Sequence, residues 1–172
     1  MDIKLKAHIA NERISDGLLE AMNAINQINE ASDEKITLDF SDVGFVTPLY
    51  ILPLVVFING CSKDITITNI SEYLQTIGFT NGMQPDKMRK SEFLAIIEKY
   101  SRKTYIPIVS FPTTRDSDDE KDAILSTVES IIERQLGLTS NIAIGLKYML
   151  GESIDNIIQH ANSERGYIFA QS

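Results

Sequence analysis

Residues 35–58 read KITLDFSDVGFVTPLYILPLVVFI, and how this run divides decides the fold. Ile36, Leu38 and Phe40 alternate with polar residues, the period of a strand with one buried face. SDVGF then supplies turn residues, after which Thr47 stands where an N-cap belongs and Pro48 where a first helical residue belongs. The apolar run from Phe45 to Ile58 covers 14 residues. As a helix it reaches about 21 Å, short of a ~30 Å hydrocarbon core, so it reads as a buried element and not as a membrane span. Pro53 opposes the carbonyl four residues back, which predicts a kink or a late helix start.

Working outward, Ile3 and Leu5 alternate with lysines as in a strand, and Ile14, Leu18, Leu19, Met22, Ile25 and Ile28 recur at helical spacing up to the polar break NEASDEK. On the other side, DITITNI (64–70) is a β-branched alternating run. SEYLQTIGF follows as a short helix capped by Ser71 and ended at Gly78. Strands alternating with helices imply an α/β fold with a mostly parallel or mixed sheet. NGMQPD (81–86) is the best candidate boundary.

Beyond it, Met88, Phe93, Leu94, Ile96, Ile97 and Tyr100 form an amphipathic helix, and TYIPIVSFP reads as a strand near a sheet edge because of Pro107. TTRDSDDEKD is an acidic loop running into a helix whose stripe is Ile124, Leu125, Val128, Ile131, Ile132 and Leu136, ended by Gly137. A further helix starts at Thr139 or Ser140. Its first half is apolar nearly all round, which predicts burial between layers. GYIFAQ (166–171) is the strand after it.

The 172 residues, 43% of them hydrophobic, suffice for a core without staples. A single cysteine, Cys61, excludes an internal disulfide framework, and with two histidines it leaves no dense set of zinc-ligand spacings; a reducing, cytoplasmic setting is expected. The net charge of -8 argues against a general binder of nucleic acid or anionic membrane. MDIKLKAHIA has no apolar run long enough for a signal peptide.

In GESIDNIIQHA (151–161), Glu152, Asn156 and His160 fall within an arc of roughly 80°, opposite Ile154, Ile157, Ile158 and Ala161. Polar residues opposite an apolar stripe usually face water. Yet the segment resembles the N-box of the GHKL superfamily of ATPases, the gyrase and histidine-kinase relatives, where a glutamate, an asparagine four residues on and a basic residue or histidine one turn later recur. The resemblance implies that Asn156 binds Mg²⁺ bridging the phosphates of ATP, that Glu152 acts as general base and that His160 lies near the phosphates. The glycine boxes of that family are missing, since no G-x-G occurs. A truncated ATPase domain, or alternatively a natural degenerate form of one, is therefore expected, with weak or no ATP binding by this chain.

KITLDFSDVGFVTPLYILPLVVF in turn is similar to the central segment of STAS domains, the fold of anti-sigma-factor antagonists, and SEYLQTIGF resembles their later helix. Their phosphorylatable hydroxyl has no counterpart here, because Leu49 takes its place; Thr47 is a displaced hydroxyl with a capping role of its own. Together the resemblances imply a STAS-like mixed sheet with helices over 1–82, a connecting helix over 83–103, and over 104–172 the N-terminal portion of an incomplete Bergerat-type α/β sandwich. The implied function is bacterial signalling: a protein whose complete form binds Mg-ATP, as a serine kinase or nucleotide-dependent switch, and engages a protein partner. The alternative is a non-enzymatic interaction module with a relic ATPase segment. An unpaired edge of the truncated sheet further predicts a homodimer.

Overall fold

The computed structural model describes residues 1–7, 14–113, 118–137, 140–160 and 163–171, which fall into two compact units, Met1–Asn81 and Gly82–Ser172. In the first, β1 (Asp2–Ala7), α1 (Ile14–Glu30), β2 (Lys35–Val43), α2 (Pro48–Gly60), β3 (Asp64–Thr68) and α3 (Glu72–Thr76) follow in order. The sheet is parallel throughout, in the order β1-β2-β3, and not mixed. Each pair of neighbouring strands is joined through a helix, the connection that parallel pairing requires. Both crossovers step in the same direction, so the right-handed rule puts α1 and α2 on one face, where they pack together.

That face is the core: Ile3, Leu5, Ile36, Leu38 and Phe40 are buried beneath Ile28, Ile51 and Leu54. The reverse face is polar, with Lys4 opposite Asp39 and Asp39 opposite Thr68 across the strands. A register shift between Lys4 and Lys6 gives β2 one extra residue, which lets Phe40 and Val43 both be buried although three positions apart.

The inward face of α1 differs from the one its largest apolar residues predict. Leu19 is 61% exposed, and Leu18 and Met22 also face outward; Ala21, Ala24, Ile25 and Ile28 are the buried residues. The reason is close approach to α2: a Cβ on Gly17 would lie 2.9 Å from Thr47 Oγ1. Small side chains let the helices meet. The side chain of Ile14 lies outside the described residues.

α2 starts at Pro48 and runs through Pro53, so the late start does not occur. Burial of Tyr50, Ile51, Leu54 and Val55 outweighs the one backbone bond that Pro53 cannot make. Thr47 occupies the N-cap position, but its hydroxyl makes no cap bond. The Tyr50 and Ile51 amides donate instead to the Thr47 carbonyl, at 3.0 and 3.1 Å. α3 is capped as expected: Ser71 Oγ accepts from the Leu74 amide, and Gly78 sits at φ 74°. The Gly78 and Phe79 amides then close back on Gln75 and Leu74, a Schellman ending.

In the second unit, a 3-10 turn (Pro85–Lys87) precedes α4 (Lys90–Tyr100), β4 (Tyr105–Pro112), α5 (Asp118–Leu136), α6 (Ser140–His160) and β5 (Arg165–Gln171). β4 and β5 pair antiparallel, with a register shift around Pro107, where a strand can spare an amide. On its other edge β4 bonds Met83, whose amide donates to Ile108 O at 2.7 Å. Gly82 makes this approach feasible: it adopts φ +63°, and a Cβ there would meet the Ile108 carbonyl at 2.8 Å. The core joins Phe93 and Ile97 of α4, the segment read as a connecting helix, to Ile106, Val109, Ile124, Val128 and Ile131.

Candidate functional site

α6 is held by one face. Ile154 is buried with Phe111 and Leu125, and Ile157 and Ile158 pack at the margin of that cluster. A Cβ on Gly166 would meet the Phe111 ring and, at 3.0 Å, Ile157 of α6, so glycine at 166 leaves room for both side chains. The Thr113 hydroxyl donates to the Ser163 carbonyl and ties the end of β4 to the turn before β5.

Two ion pairs fix α6 against α5. Lys121 pairs with Asp155, and Lys147 reaches Glu129 at 3.2 Å and donates to Ser126 Oγ at 3.0 Å. Residues early in α5 thus meet residues late in α6, as in an antiparallel pair. Asp155, beside the candidate asparagine, is committed to this contact. The sequence reading did not single it out, because its partner lies 34 positions away.

Glu152, Asn156 and His160 are all exposed on the side away from Ile154. The structure therefore keeps them as one row along α6, and Ala161 lies outside the described residues. Among the described residues, no group of three or more histidine, cysteine or acidic side chains converges to hold a metal ion. One amide oxygen suits Mg²⁺, which takes one or two protein ligands and fills its octahedron with water and phosphate oxygens.

The upstream half of α6 is not buried between layers. Ile142, Ile144, Tyr148 and Met149 are 52–69% exposed. Among the described residues α6 packs on α5 and β5, and these cover only one side of a helix that is apolar on several.

In the first unit the carboxyl end of the sheet gathers Asp39, Ser41 and Asn69. Asp39 Oδ1 accepts from Asn69 Nδ2 at 2.8 Å and from the Ser41 amide at 2.9 Å. The Asn69 hydrogen bond, followed by that of Ser41, holds the Asp39 carboxyl below its usual range. The Asn69 bond ties β2 to the residue that follows β3. Thr47 Oγ1 is buried and has no hydrogen-bond partner among the described residues, while Leu49 is 41% exposed.

No helix among the described residues is long and apolar enough to cross a membrane. Comparison with protein-family models, with curated proteins and with solved structures finds no match.

Proposed function

We propose that the chain is a regulatory protein of bacterial signalling in which α6 carries an N-box, with Asn156 offered to the Mg²⁺ of a bound nucleotide, and in which a STAS-like first unit engages a protein partner. One observation carries this reading: Glu152, Asn156 and His160 stand exposed in a row on a helix whose opposite face is anchored in the core. A phosphate-binding helix needs that combination, since phosphoryl chemistry depends on positioning and charge neutralisation. Glu152, one turn before Asn156, stands where a base would orient a nucleophile. The exposed Leu18, Leu19 and Met22 on α1 supply the partner surface.

The row provides for metal and phosphate but not for a purine, and no G-x-G loop is present to cradle an anion with backbone amides. Binding by this chain is accordingly weak. Titrating Mg-ATP into ¹⁵N-labelled protein is expected to move the amide signals of residues 152–160, with a dissociation constant above about 1 mM. Asn156→Ala should abolish the shifts. Silence at α6 up to about 10 mM nucleotide, or shifts that survive Asn156→Ala, would overturn the reading.

A second reading, docking without nucleotide, draws on the exposed Ile142, Ile144, Tyr148 and Met149 of the same helix. Apolar side chains gathered on a protein surface mark interaction sites. In that case Glu152→Ala leaves partner binding unchanged.

A further inference from the structure

A cavity of about 340 Å³ lies in the first unit between β1 and α1, lined by Lys4, Lys6, Glu20, Asn23, Gln27 and Tyr50. It is independent of the α6 row. Tyr50 is 2% exposed, and its hydroxyl is buried with no hydrogen-bond partner among the described residues. A buried hydroxyl of this kind is unfavourable unless something enters to satisfy it. Burial, and then the nearby Glu20 carboxylate, push the Tyr50 hydroxyl above its ordinary pKa, so it is a proton donor at neutral pH.

The charged residues lining the cavity are sorted by element. β1 contributes lysines and α1 contributes Glu20, with the Asn23 and Gln27 amides on the same helix. Lys4 is already paired with Asp42 at 3.0 Å. Among the described residues, neither Lys6 nor Glu20 has a salt-bridge partner. Among the described residues, one cation and one anion without a salt-bridge partner therefore line a polar cavity from different elements, together with two amides and a hydroxyl that has no hydrogen-bond partner.

We infer that this cavity is a binding site for a small zwitterion of the α-amino-acid class, its carboxylate paired with Lys6, its ammonium with Glu20, and an acceptor group receiving the Tyr50 hydroxyl proton. The volume suits such a molecule: it is at the small end of ligand pockets, about 300–1,000 Å³. Leu5 and Ala24 add a modest apolar wall for a side chain.

The test is a calorimetric and NMR titration of the whole chain with the twenty standard α-amino acids, using propionate and propylamine as half-molecule controls. At least one amino acid is expected to bind saturably and to shift the Tyr50 ring signals. Lys6→Met and Glu20→Gln should each weaken it by about tenfold or more, the scale of one lost charge-assisted bond. Tyr50→Phe separates binding from folding. Removing an orphan hydroxyl should leave the unliganded protein as stable as before or more so, while the ligand-induced rise in melting temperature shrinks. Three results would overturn the inference: no saturable binding by any amino acid, binding indifferent to Lys6→Met and Glu20→Gln, or propionate binding as tightly as the best amino acid.

Discussion

At the scale of single residues, the strongest polar device in the second unit is Arg165. Its guanidinium donates to Asp86 Oδ1 and Oδ2 at 2.8 and 3.1 Å, to Ser110 Oγ at 2.6 Å and to the Ser110 carbonyl at 2.7 Å. The fork joins β5, β4 and the 3-10 turn. The Arg165 hydrogen bonds hold the Asp86 carboxyl below its ordinary value. A carboxyl depressed in the folded state contributes stability that is fully present above its unfolded pKa, near 4, and lost as pH falls through the lower folded value. Asp86→Ala is thus expected to cost about 2–3 kcal/mol at neutral pH, with the gap to wild type narrowing below about pH 4. Urea unfolding at a series of pH values measures it. None of this was legible beforehand, since Asp86 and Arg165 lie 79 positions apart and each looked like an ordinary surface charge.

At the scale of elements, α1 shows what periodicity reveals and what it hides. The apolar spacing from Ile14 to Ile28 marked a helix correctly, and α1 spans Ile14–Glu30. It did not mark the buried face, because Leu18 and Leu19 outweigh Gly17 and Ala21 in any count of hydrophobicity. The tight α1–α2 approach instead favours the smallest side chains. α6 misled in the opposite sense, its apolar first half standing exposed, because a sequence pattern carries no information about how many layers are present to cover it. The end of α1 also has a feature no local signal announced. With no basic residue in its last turn, α1 is capped by Lys63 from the loop after α2, whose Nζ donates to Ile28 O at 2.7 Å and to Ala31 O at 2.6 Å. Cations at helix carbonyl ends are favourable, and this one is half-buried. Lys63→Met should lower stability by about 1–2 kcal/mol while keeping the aliphatic stem, as read from the urea midpoint.

At the scale of the molecule, the alternation of strands and helices was legible, as was a break near NGMQPD; the division falls between Asn81 and Gly82. The candidate row was legible too, because Glu152, Asn156 and His160 belong to one helix and need no tertiary partner to be aligned. The amino-acid cavity was not, since it exists only once β1 has been laid beside α1. The first unit carries its own sheet, its covering helices and the core between them, so residues 1–81 expressed alone should fold. A dispersed NMR spectrum and one cooperative urea transition are expected, and a collapsed spectrum would refute it. The strand order has a kinetic consequence as well. Asp2 lies opposite Thr37, and Lys35 opposite Asp64, so the strand pairs join residues roughly thirty or more apart. No hairpin can seed such a sheet. Chain entropy must first be spent closing β1–α1–β2 and β2–α2–β3, which makes β2 the shared template. Packing of α1 on α2 at Gly17 is then expected to contribute to the folding barrier, and a φ-value at Ala21 measures it.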